Sequence, residues 1–385
     1  MAEPPSSPLL HGRMGRWPAL DGLRGLAILL VMVEHTHLAP FHGGGMGVDL
    51  FFVLSGFLIS ALLLAEFQRS GGLDIRRFYY RRGLRLLPAL LVLVAATTVL
   101  ALAFHHSQIG KATLAMAPKT LFYVANLGRT DLGNASLLAH TWSLSIEEQF
   151  YLVWPLALLL LLRTRWSRTV LVGVVLALAG LTTVTRTVSY LLGPDTPEHF
   201  GRWYFRTDTK FDALLLGCTI ALLLASDLPR SRWFARLPIA AIGLMSFLAL
   251  LAVVPWVDQT RVSFMVQLSL FRLASAGLVL VFVVGGRPPS LLERAFSMRW
   301  LCFIGVLSYS LYLWHFPVFA IAQHELGRSL KSLLVELPVT LVLAYGSYRL
   351  VERPFLRARE RLPGTRQEPA VRGELAVLAS GGERP

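Results

Sequence analysis

The sequence predicts an all-α fold, a polytopic transmembrane helical bundle of about ten helices. Hydrophobic residues make up 54% of the 385-residue chain and charged residues only 16%. The apolar residues are collected in runs of roughly the 20 residues that a helix needs to cross a bilayer. The basic residues behind the net charge of +14 lie between these runs. This placement is typical of membrane loops and argues against a nucleic-acid partner.

Ten apolar runs can be distinguished, and the weakest, at 210–226, is short and begins with charged residues. The first run is too long for a signal-peptide core and has no small-residue cleavage site, so it is predicted to remain as a membrane helix. A further stretch at 111–126 is amphipathic, which predicts a helix on the membrane surface. The ten runs lie at 19–38, 48–67, 85–104, 142–162, 168–192, 210–226, 237–256, 264–284, 300–322 and 332–352.

Positive charge in the predicted loops sets the orientation. The N-terminal segment and the even-numbered loops carry 17 arginines, whereas the odd-numbered loops carry nine basic residues. Because basic loops stay in the cytoplasm, both termini are predicted to be cytoplasmic in a multi-pass protein of the cell inner (plasma) membrane. The chain then divides into a cytoplasmic N-terminal segment (1–18), a transmembrane domain (19–355) and a cytoplasmic tail (356–385). The composition of the tail predicts disorder.

Ionisable residues within the predicted spans are concentrated in the outer half of the membrane. Such residues are costly in lipid, so each is a candidate functional residue. His35 lies near the outer end of the first span, Glu147 lies one to two turns below the outer start of the fourth, and His315 lies in the outer half of the ninth. The sixth span opens with a charged group formed by Asp208, Lys210 and Asp212. Any single one could instead be a snorkelling or helix-capping residue.

A second group of ionisable residues lies on the cytoplasmic side. Arg77, Arg81 and Arg85 repeat at every fourth residue, which places them on one face of a helix. Positive-inside topology is the alternative role, but six arginines between two spans exceed what orientation requires, and guanidinium groups suit phosphate oxygens. Arg24 and His35 are eleven residues apart, so on a helix they share a face at a separation of about 16 Å. That separation is of the order of an extended pantetheine arm.

Several short motifs follow one another across the ten runs. Residues 20–25 followed by His35 form an arginine, ten residues, histidine pattern. Further blocks lie at 47–59, 78–88, 141–151, 207–214, 308–315 and 352–355. In content and order these motifs resemble the acyltransferase 3 family, and the resemblance extends from about Leu20 to Phe355. Lys210 stands where the family often has arginine, which keeps the charge but loses bidentate geometry.

The resemblance implies an enzyme, a membrane O-acyltransferase that moves an acetyl or another short acyl group from acyl-CoA to a hydroxyl. The acceptor would be a glycan, a lipid-linked sugar or a secondary metabolite such as a macrolide. Acyl-CoA would be a co-substrate, with no tightly bound cofactor. The chain resembles the stand-alone members, which lack a C-terminal hydrolase-like domain. No metal is predicted, because Cys218 and Cys302 lie inside apolar runs without the spacing of metal ligands.

The resemblance also implies roles for the candidate residues. His35 would be the catalytic base, and Glu147 would either orient that imidazole or bind the acceptor hydroxyl, two roles that the sequence leaves open. The coenzyme A phosphates are expected to bind to the guanidinium groups of Arg24, Arg77, Arg81 and Arg85. The acceptor pocket is expected to include Asp208, Lys210, Asp212 and His315. For His315 the alternative is a helix-packing histidine that is hydrogen-bonded to a neighbouring hydroxyl.

A transporter or flippase for a sugar or lipid is the competing class, because it too needs about ten helices and buried charges. The motif series favours the transferase. A receptor-like membrane sensor would carry a soluble sensory domain, and the sequence has no recognisable segment of this kind.

Overall fold

A computed structural model of the chain describes residues 17–37, 43–127, 135–194, 196–231, 234, 236–256, 260–284 and 289–360. Within these ranges the secondary structure is helical, which confirms the predicted all-α class. The α-helices, in chain order, are α1 (Pro18–Thr36), α2 (Gly47–Ser70), α3 (Ile75–Ala103), α4 (Gln108–Leu121), α5 (Trp142–Arg163), α6 (Arg168–Leu191), α7 (Pro197–Tyr204), α8 (Phe211–Leu224), α9 (Ile239–Val253), α10 (Arg261–Val284), α11 (Leu291–Phe296), α12 (Arg299–Leu326), α13 (Leu330–Ser347) and α14 (Arg353–Glu360).

Local sequence signals set many of these helix ends. Pro18 begins α1, where its missing N–H costs nothing. The carboxylate of Asp74 accepts a hydrogen bond from the Arg77 amide and caps α3. Short 3₁₀ turns lead directly into α2, α5 and α8, and they lie at Gly44–Met46, Ala139–Thr141 and Asp208–Lys210. A π-helical turn, Tyr348–Glu352, joins α13 to α14.

Seven helical segments in the described part of the chain are long and apolar enough to cross a membrane. They match seven of the ten predicted runs and lie at Gly44–Ser70, Ile75–Ala103, Ala139–Arg163, Arg168–Leu191, Arg261–Val284, Arg299–Leu326 and Leu330–Ala358. The other three runs form α1, α8 and α9, which are charged or shorter. The amphipathic stretch at 111–126 forms most of α4. Its position at the membrane surface remains a prediction.

Helices α2 and α8 pack along each other in parallel at the centre of the bundle. Asp49 of α2 lies near Lys210, whereas Gly56, two turns further along α2, lies against Leu214 and Cys218. Eleven of the fourteen residues of α8 are buried. At about 1.5 Å per residue α8 is only about 21 Å long, and surrounding helices cover it. The weakest predicted run is therefore a central helix.

Helices α1 and α12 form a second closely packed parallel pair. Asp21 lies against Gly305, and His35 lies against His315. A Cβ on Gly305 would lie 1.8 Å from the Asp21 carbonyl oxygen, and one on Gly25 would lie 2.3 Å from the Leu301 carbonyl oxygen. Only glycine allows the two backbones to come this close. The parallel direction fits the prediction that both helices are odd-numbered spans.

Candidate functional site

Three histidine rings meet at the C-terminal end of α1. His35 lies on α1, His315 on α12 and His140 on the 3₁₀ turn before α5. The ring centroids of His35 and His315 are 5.1 Å apart, and those of His140 and His315 are 5.5 Å apart. We call these three residues the histidine group. The structure thus brings together two residues that the sequence selected and one that it did not.

The hydrogen bonds of two of these rings define which nitrogen carries the proton. Nδ1 of His35 lies 2.7 Å from the carbonyl oxygen of Val31, and Nδ1 of His315 lies 2.7 Å from that of Tyr312. A carbonyl oxygen can only accept, so Nδ1 is the donor in each ring. In a neutral imidazole this leaves a lone pair on Nε2. His35 and His315 can therefore both act as bases through Nε2.

Neighbouring polar groups hold the histidine group in place. The Gln323 side chain donates to the carbonyl oxygen of His35 at 2.7 Å. The Tyr312 hydroxyl donates to the carbonyl oxygen of His140 at 2.6 Å and lies 2.6 Å from the hydroxyl of Ser143. Phe316 contacts the rings of His35 and His140, at centroid distances of 5.1 Å in each case. These contacts limit rotation of the imidazoles.

Glu147 lies apart from this group. Its carboxylate accepts hydrogen bonds from the hydroxyls of Ser55 at 2.5 Å and Tyr151 at 2.6 Å. Seven residues separate it from His140, which corresponds to about two helical turns. The hydrogen-bonding partners of Glu147 thus lie on α2 and α5, whereas the Nδ1 atom of His35 is directed at its own helix.

Arg82 and Glu148 form a two-pronged ion pair beside Glu147. Nε and Nη2 of Arg82 donate to Glu148 at 2.8 and 2.6 Å, and Nη2 lies 3.5 Å from Glu147. The guanidinium carbon lies 3.3 Å from the ring centroid of Tyr151. This arrangement connects α3 to α5. A cavity of about 110 Å³ adjoins the pair and is lined by Tyr79, Arg82, Gly83, Leu86, Leu87, Tyr123 and Glu148.

The arginines assigned to the coenzyme lie on two helices, Arg24 on α1 and the other three on α3. Arg24 donates to the Ser308 hydroxyl at 3.2 Å. Arg24 and Arg85 both lie close enough to Glu352 to attract its carboxylate, which accepts a short hydrogen bond from Ser310. Arg77 and Arg81 lie on the same helix as Arg85, as predicted. The structure therefore adds Glu352 to the site, as a carboxylate that Arg24 and Arg85 both attract electrostatically.

The charged residues at the start of α8 also separate. Asp208 is exposed and pairs with Arg206, at 2.6 Å between Nη2 and Oδ2. This hydrogen bond and the nearby charge raise the pKa of Arg206. Lys210 and Asp212 are buried instead, and they belong to an ion network with Asp49, Arg186 and Arg272. Asp208 therefore does not share the environment of Lys210 and Asp212, although all three were predicted to line the acceptor pocket.

Arg272 is at the centre of this ion network. Its guanidinium donates to Asp49 and, by a short contact, to Asp212. Arg186 pairs with the other oxygen of Asp212 at 3.2 Å. The Lys210 ammonium lies 3.7 Å from Asp49 and 3.8 Å from the ring centroid of Tyr204. The network joins α2, α6, α8 and α10 at the end of the bundle where α2 and α8 begin and α6 ends.

Sequence reasoning missed three of these residues as site candidates. Asp49 lies inside an apolar run, where its charge alone was a usable signal. Glu352 lies at the end of the last run and was noticed only as part of a motif. His140 lies just before the run at 142–162, so no rule about intramembrane charge selects it. Among the described residues, no three His, Cys, Asp or Glu side chains are grouped as metal ligands.

Fold and site together define a polytopic membrane protein with a polar interior between parallel helices. The chain matches the acyltransferase 3 family model, described as an acyltransferase domain, over residues 17–349, and it belongs to that family. This confirms the resemblance drawn from the motifs. No solved structure matches the chain.

Similar proteins include bacterial O-acetyltransferases. The chain is 32% identical to the peptidoglycan O-acetyltransferase OatA of Listeria monocytogenes over 353 residues, which cover 88% of this chain and 55% of that protein. It is 34% identical to the putative peptidoglycan O-acetyltransferase YrhL of Bacillus subtilis, covering 88% of the chain and 54% of YrhL. The chain is 33% identical to the O-acetyltransferase OatA of Staphylococcus aureus, over 88% of this chain and 57% of that protein. The chain spans about half the length of these relatives.

Proposed function

We propose that the protein is an integral membrane O-acyltransferase that moves an acetyl or another short acyl group from acyl-CoA to a hydroxyl. The arrangement of Arg24 and His35 on α1 carries this proposal. Both side chains face α12, where Arg24 donates to Ser308 and the ring of His35 contacts His315. Because α1 is one continuous helix, the two residues are about 16 Å apart along its axis. A donor held by its phosphates at Arg24 would present its thioester at His35.

His35 supplies the base in this proposal. Its Nδ1 is committed to the Val31 carbonyl oxygen, and its Nε2 accepts the proton of the acceptor hydroxyl. The hydroxyl oxygen then bonds to the acyl carbon, and the thiolate of coenzyme A leaves. His35 is half-buried, so the ring is reachable while much of the water is excluded.

The donor binds at the opposite end of α1. Arg24 and Arg85 both attract the carboxylate of Glu352 electrostatically, so an anion near this position is favoured by both guanidinium groups. Phosphate oxygens are suited to the same donors. With the predicted orientation this end faces the cytoplasm, where acyl-CoA is found, and the acyl group is transferred toward the outer face.

A glycan is the acceptor class that we favour. Two of the relatives described above carry peptidoglycan in their names, and their similarity spans 88% of this chain. A lipid-linked sugar and a macrolide-like metabolite are the other acceptors to test. The protein would work in the plasma membrane with both termini in the cytoplasm.

The full chain purified in detergent provides the test. We expect release of coenzyme A from acetyl-CoA to rise on addition of one of three acceptors, namely peptidoglycan strands, a lipid-linked sugar or a macrolide. The acylated acceptor is then identified by mass spectrometry. A transporter does not catalyse cleavage of a thioester. Binding of an acceptor without turnover of any acyl-CoA would therefore overturn the proposal. Heat-inactivated protein in the same detergent is the control for spontaneous hydrolysis.

A further inference from the structure

His315 has one ring nitrogen that the described structure leaves without a partner. The residue is completely buried, and its Nδ1 donates to the carbonyl oxygen of Tyr312. Its Nε2 has no hydrogen-bond partner among the described residues. A buried nitrogen without a partner is unfavourable. We therefore expect Nε2 of His315 to exchange a proton with a substrate or to bind a group of the substrate.

The surroundings of His315 indicate which group that is. Its ring contacts His35, whose Nδ1 is likewise committed to its own helix. The two rings meet edge to face with 5.1 Å between their centroids, and in each ring Nε2 is the nitrogen that its own helix does not use. A packing role for His315 would be fulfilled by Nδ1 alone and would leave Nε2 unexplained.

We propose that His315 is the general acid that works opposite His35 in acyl transfer. The proposal rests on the proposed function and adds a second catalytic residue to it. At the start both imidazoles are neutral, with the proton on Nδ1 and a lone pair on Nε2. The acceptor hydroxyl gives its proton to Nε2 of His35 as its oxygen bonds to the acyl carbon.

The proton then passes from Nε2 of His35 to Nε2 of His315 between the two contacting rings. The carbon–sulfur bond breaks, and the sulfur takes this proton from Nε2 of His315. The products are an ester and a thiol, and both imidazoles are neutral again. No proton is gained or lost overall, and no further reactant is needed.

The test compares two acyl donors that differ in how much the departing sulfur needs a proton. The thiolate of coenzyme A is a poor leaving group, whereas an aromatic thiolate such as thionitrobenzoate leaves readily because its thiol is more acidic. His315→Asn keeps an amide donor near the Nδ1 position and removes Nε2. The acceptor is the one on which the wild-type chain is most active.

We expect His315→Asn to lower kcat with acetyl-CoA by roughly 100-fold, within the range for general acid catalysis. With the acetyl thioester of thionitrobenzoate we expect a loss below about tenfold, because that sulfur departs without protonation. His35→Ala should lose activity with both donors. His324→Asn lies on the same helix with an exposed ring and should match the wild type with both.

Equal losses of the His315 variant with the two donors, or wild-type rates with acetyl-CoA, would overturn the acid role. If His315→Asn does not yield a monodisperse protein, the rate of the wild-type chain is measured with a series of acetyl thioesters whose thiols differ in acidity. Rates that vary little with thiol acidity support the acid, and a steep dependence overturns it. Failure of the proposed function is distinct, since the wild type would then transfer from no donor.

Discussion

Each ring of the histidine group is positioned by contacts that the sequence encodes only indirectly. The imidazole of His35 is fixed by the carbonyl oxygen of Val31, one turn earlier on its own helix. Such a bond arises wherever the ring points back along a helix, so it needs no special sequence. The proposed role of His35 as a base depends instead on the position of its ring, which contacts His315 and Phe316 of α12.

His35→Ala is therefore expected to abolish acyl transfer while leaving the abundance of the protein in the membrane unchanged. The Nδ1 atom of the ring bonds to Val31 of its own helix, so the substitution breaks no hydrogen bond from that atom to another helix. Single-turnover rates and quantitative immunoblotting of membranes measure the two quantities. His105→Ala, an exposed histidine after α3, is the control and should behave as the wild type. Wild-type turnover in a well-expressed His35→Ala protein would rule out the proposed base.

The adjacent carboxylates Glu147 and Glu148 should respond differently to loss of charge. Glu148 forms the two-pronged pair with Arg82, so Glu148→Gln is expected to lower stability by up to about 3 kcal/mol. Glu147→Gln keeps partners for the hydroxyls of Ser55 and Tyr151, and we expect it to lower kcat with little change in acyl-CoA affinity. Thermal unfolding in detergent and direct binding of acyl-CoA separate the two effects. The reverse pattern would show that Glu147, and not Glu148, anchors Arg82.

Arg85→Ala is expected to raise the KM for acyl-CoA by roughly tenfold to a hundredfold, as loss of a charge-assisted phosphate contact of about 1.5 to 3 kcal/mol implies. Arg85→Lys should raise the KM less than Arg85→Ala but not leave it at the wild-type value, because an ammonium group keeps the charge but lacks the planar guanidinium fork. Arg69→Ala, on the same side of the bundle at the end of α2, is the control. An unchanged KM in Arg85→Ala would place the donor elsewhere.

At the scale of helices, close backbone approach determines how the bundle packs. Gly56 of α2 faces the Leu214 carbonyl oxygen, and Gly217 of α8 faces the Val53 carbonyl oxygen. Each glycine removes a side chain from the contact, so the two helices meet backbone to backbone. The ion network then joins the same helices near their N-terminal ends, through Asp49 and Asp212. This explains why a run too short to cross a bilayer alone forms a central helix.

Gly56→Ala is expected to destabilise the protein by about 1 to 3 kcal/mol, the usual range for an overfilled core. The new Cβ would lie 1.9 Å from the carbonyl oxygen of Leu214, a backbone atom that cannot move without shifting α8. Gly180→Ala is the matched control, because nothing lies within 4 Å of its Cβ position. The thermal unfolding temperature of both variants tests this. Equal unfolding temperatures would contradict the close packing of α2 and α8.

At the scale of the whole molecule, the relative directions of the packed helices agree with the order of the predicted spans. The α1 and α12 pair is parallel and corresponds to the first and ninth predicted runs. The α2 and α8 pair is parallel and corresponds to the second and sixth. Helices that cross in the same direction must be separated by an even number of steps in the order of spans, which both pairs satisfy. The count of ten crossings and the side of each terminus remain predictions.

Cysteine labelling in intact cells tests that topology. Glu325→Cys lies in the last turn of α12 on the predicted outer side, and Ser70→Cys ends α2 on the predicted inner side. Both positions are exposed. We expect an impermeant thiol reagent to label only the first, and to label the second after the cells are opened. The two native cysteines are buried, so background labelling should be low. Labelling of Ser70→Cys in intact cells would reverse the orientation.

Much of this architecture could be predicted because lipid imposes simple rules. Apolar runs of membrane length gave seven long helices, and the motifs gave the family. Within the site, His35, Arg24 and His315 were predicted from charge at depth and from pattern. His140 and the pairing of Arg82 with Glu148 could not be predicted, because they bring together separate helices whose proximity depends on packing alone.

The sequence by itself determined the all-α class, the candidate spans, the family and the two levels of ionisable residues, because hydrophobic length and charge placement are local properties. Only the tertiary structure decided which of these residues share a site. It joined His35 to His315 and His140, put Lys210 and Asp212 in a buried ion network, and left Asp208 at the surface. The physical reason is that helix pairing depends on the facing surfaces of segments far apart in the chain, here brought together by glycines that let backbones touch.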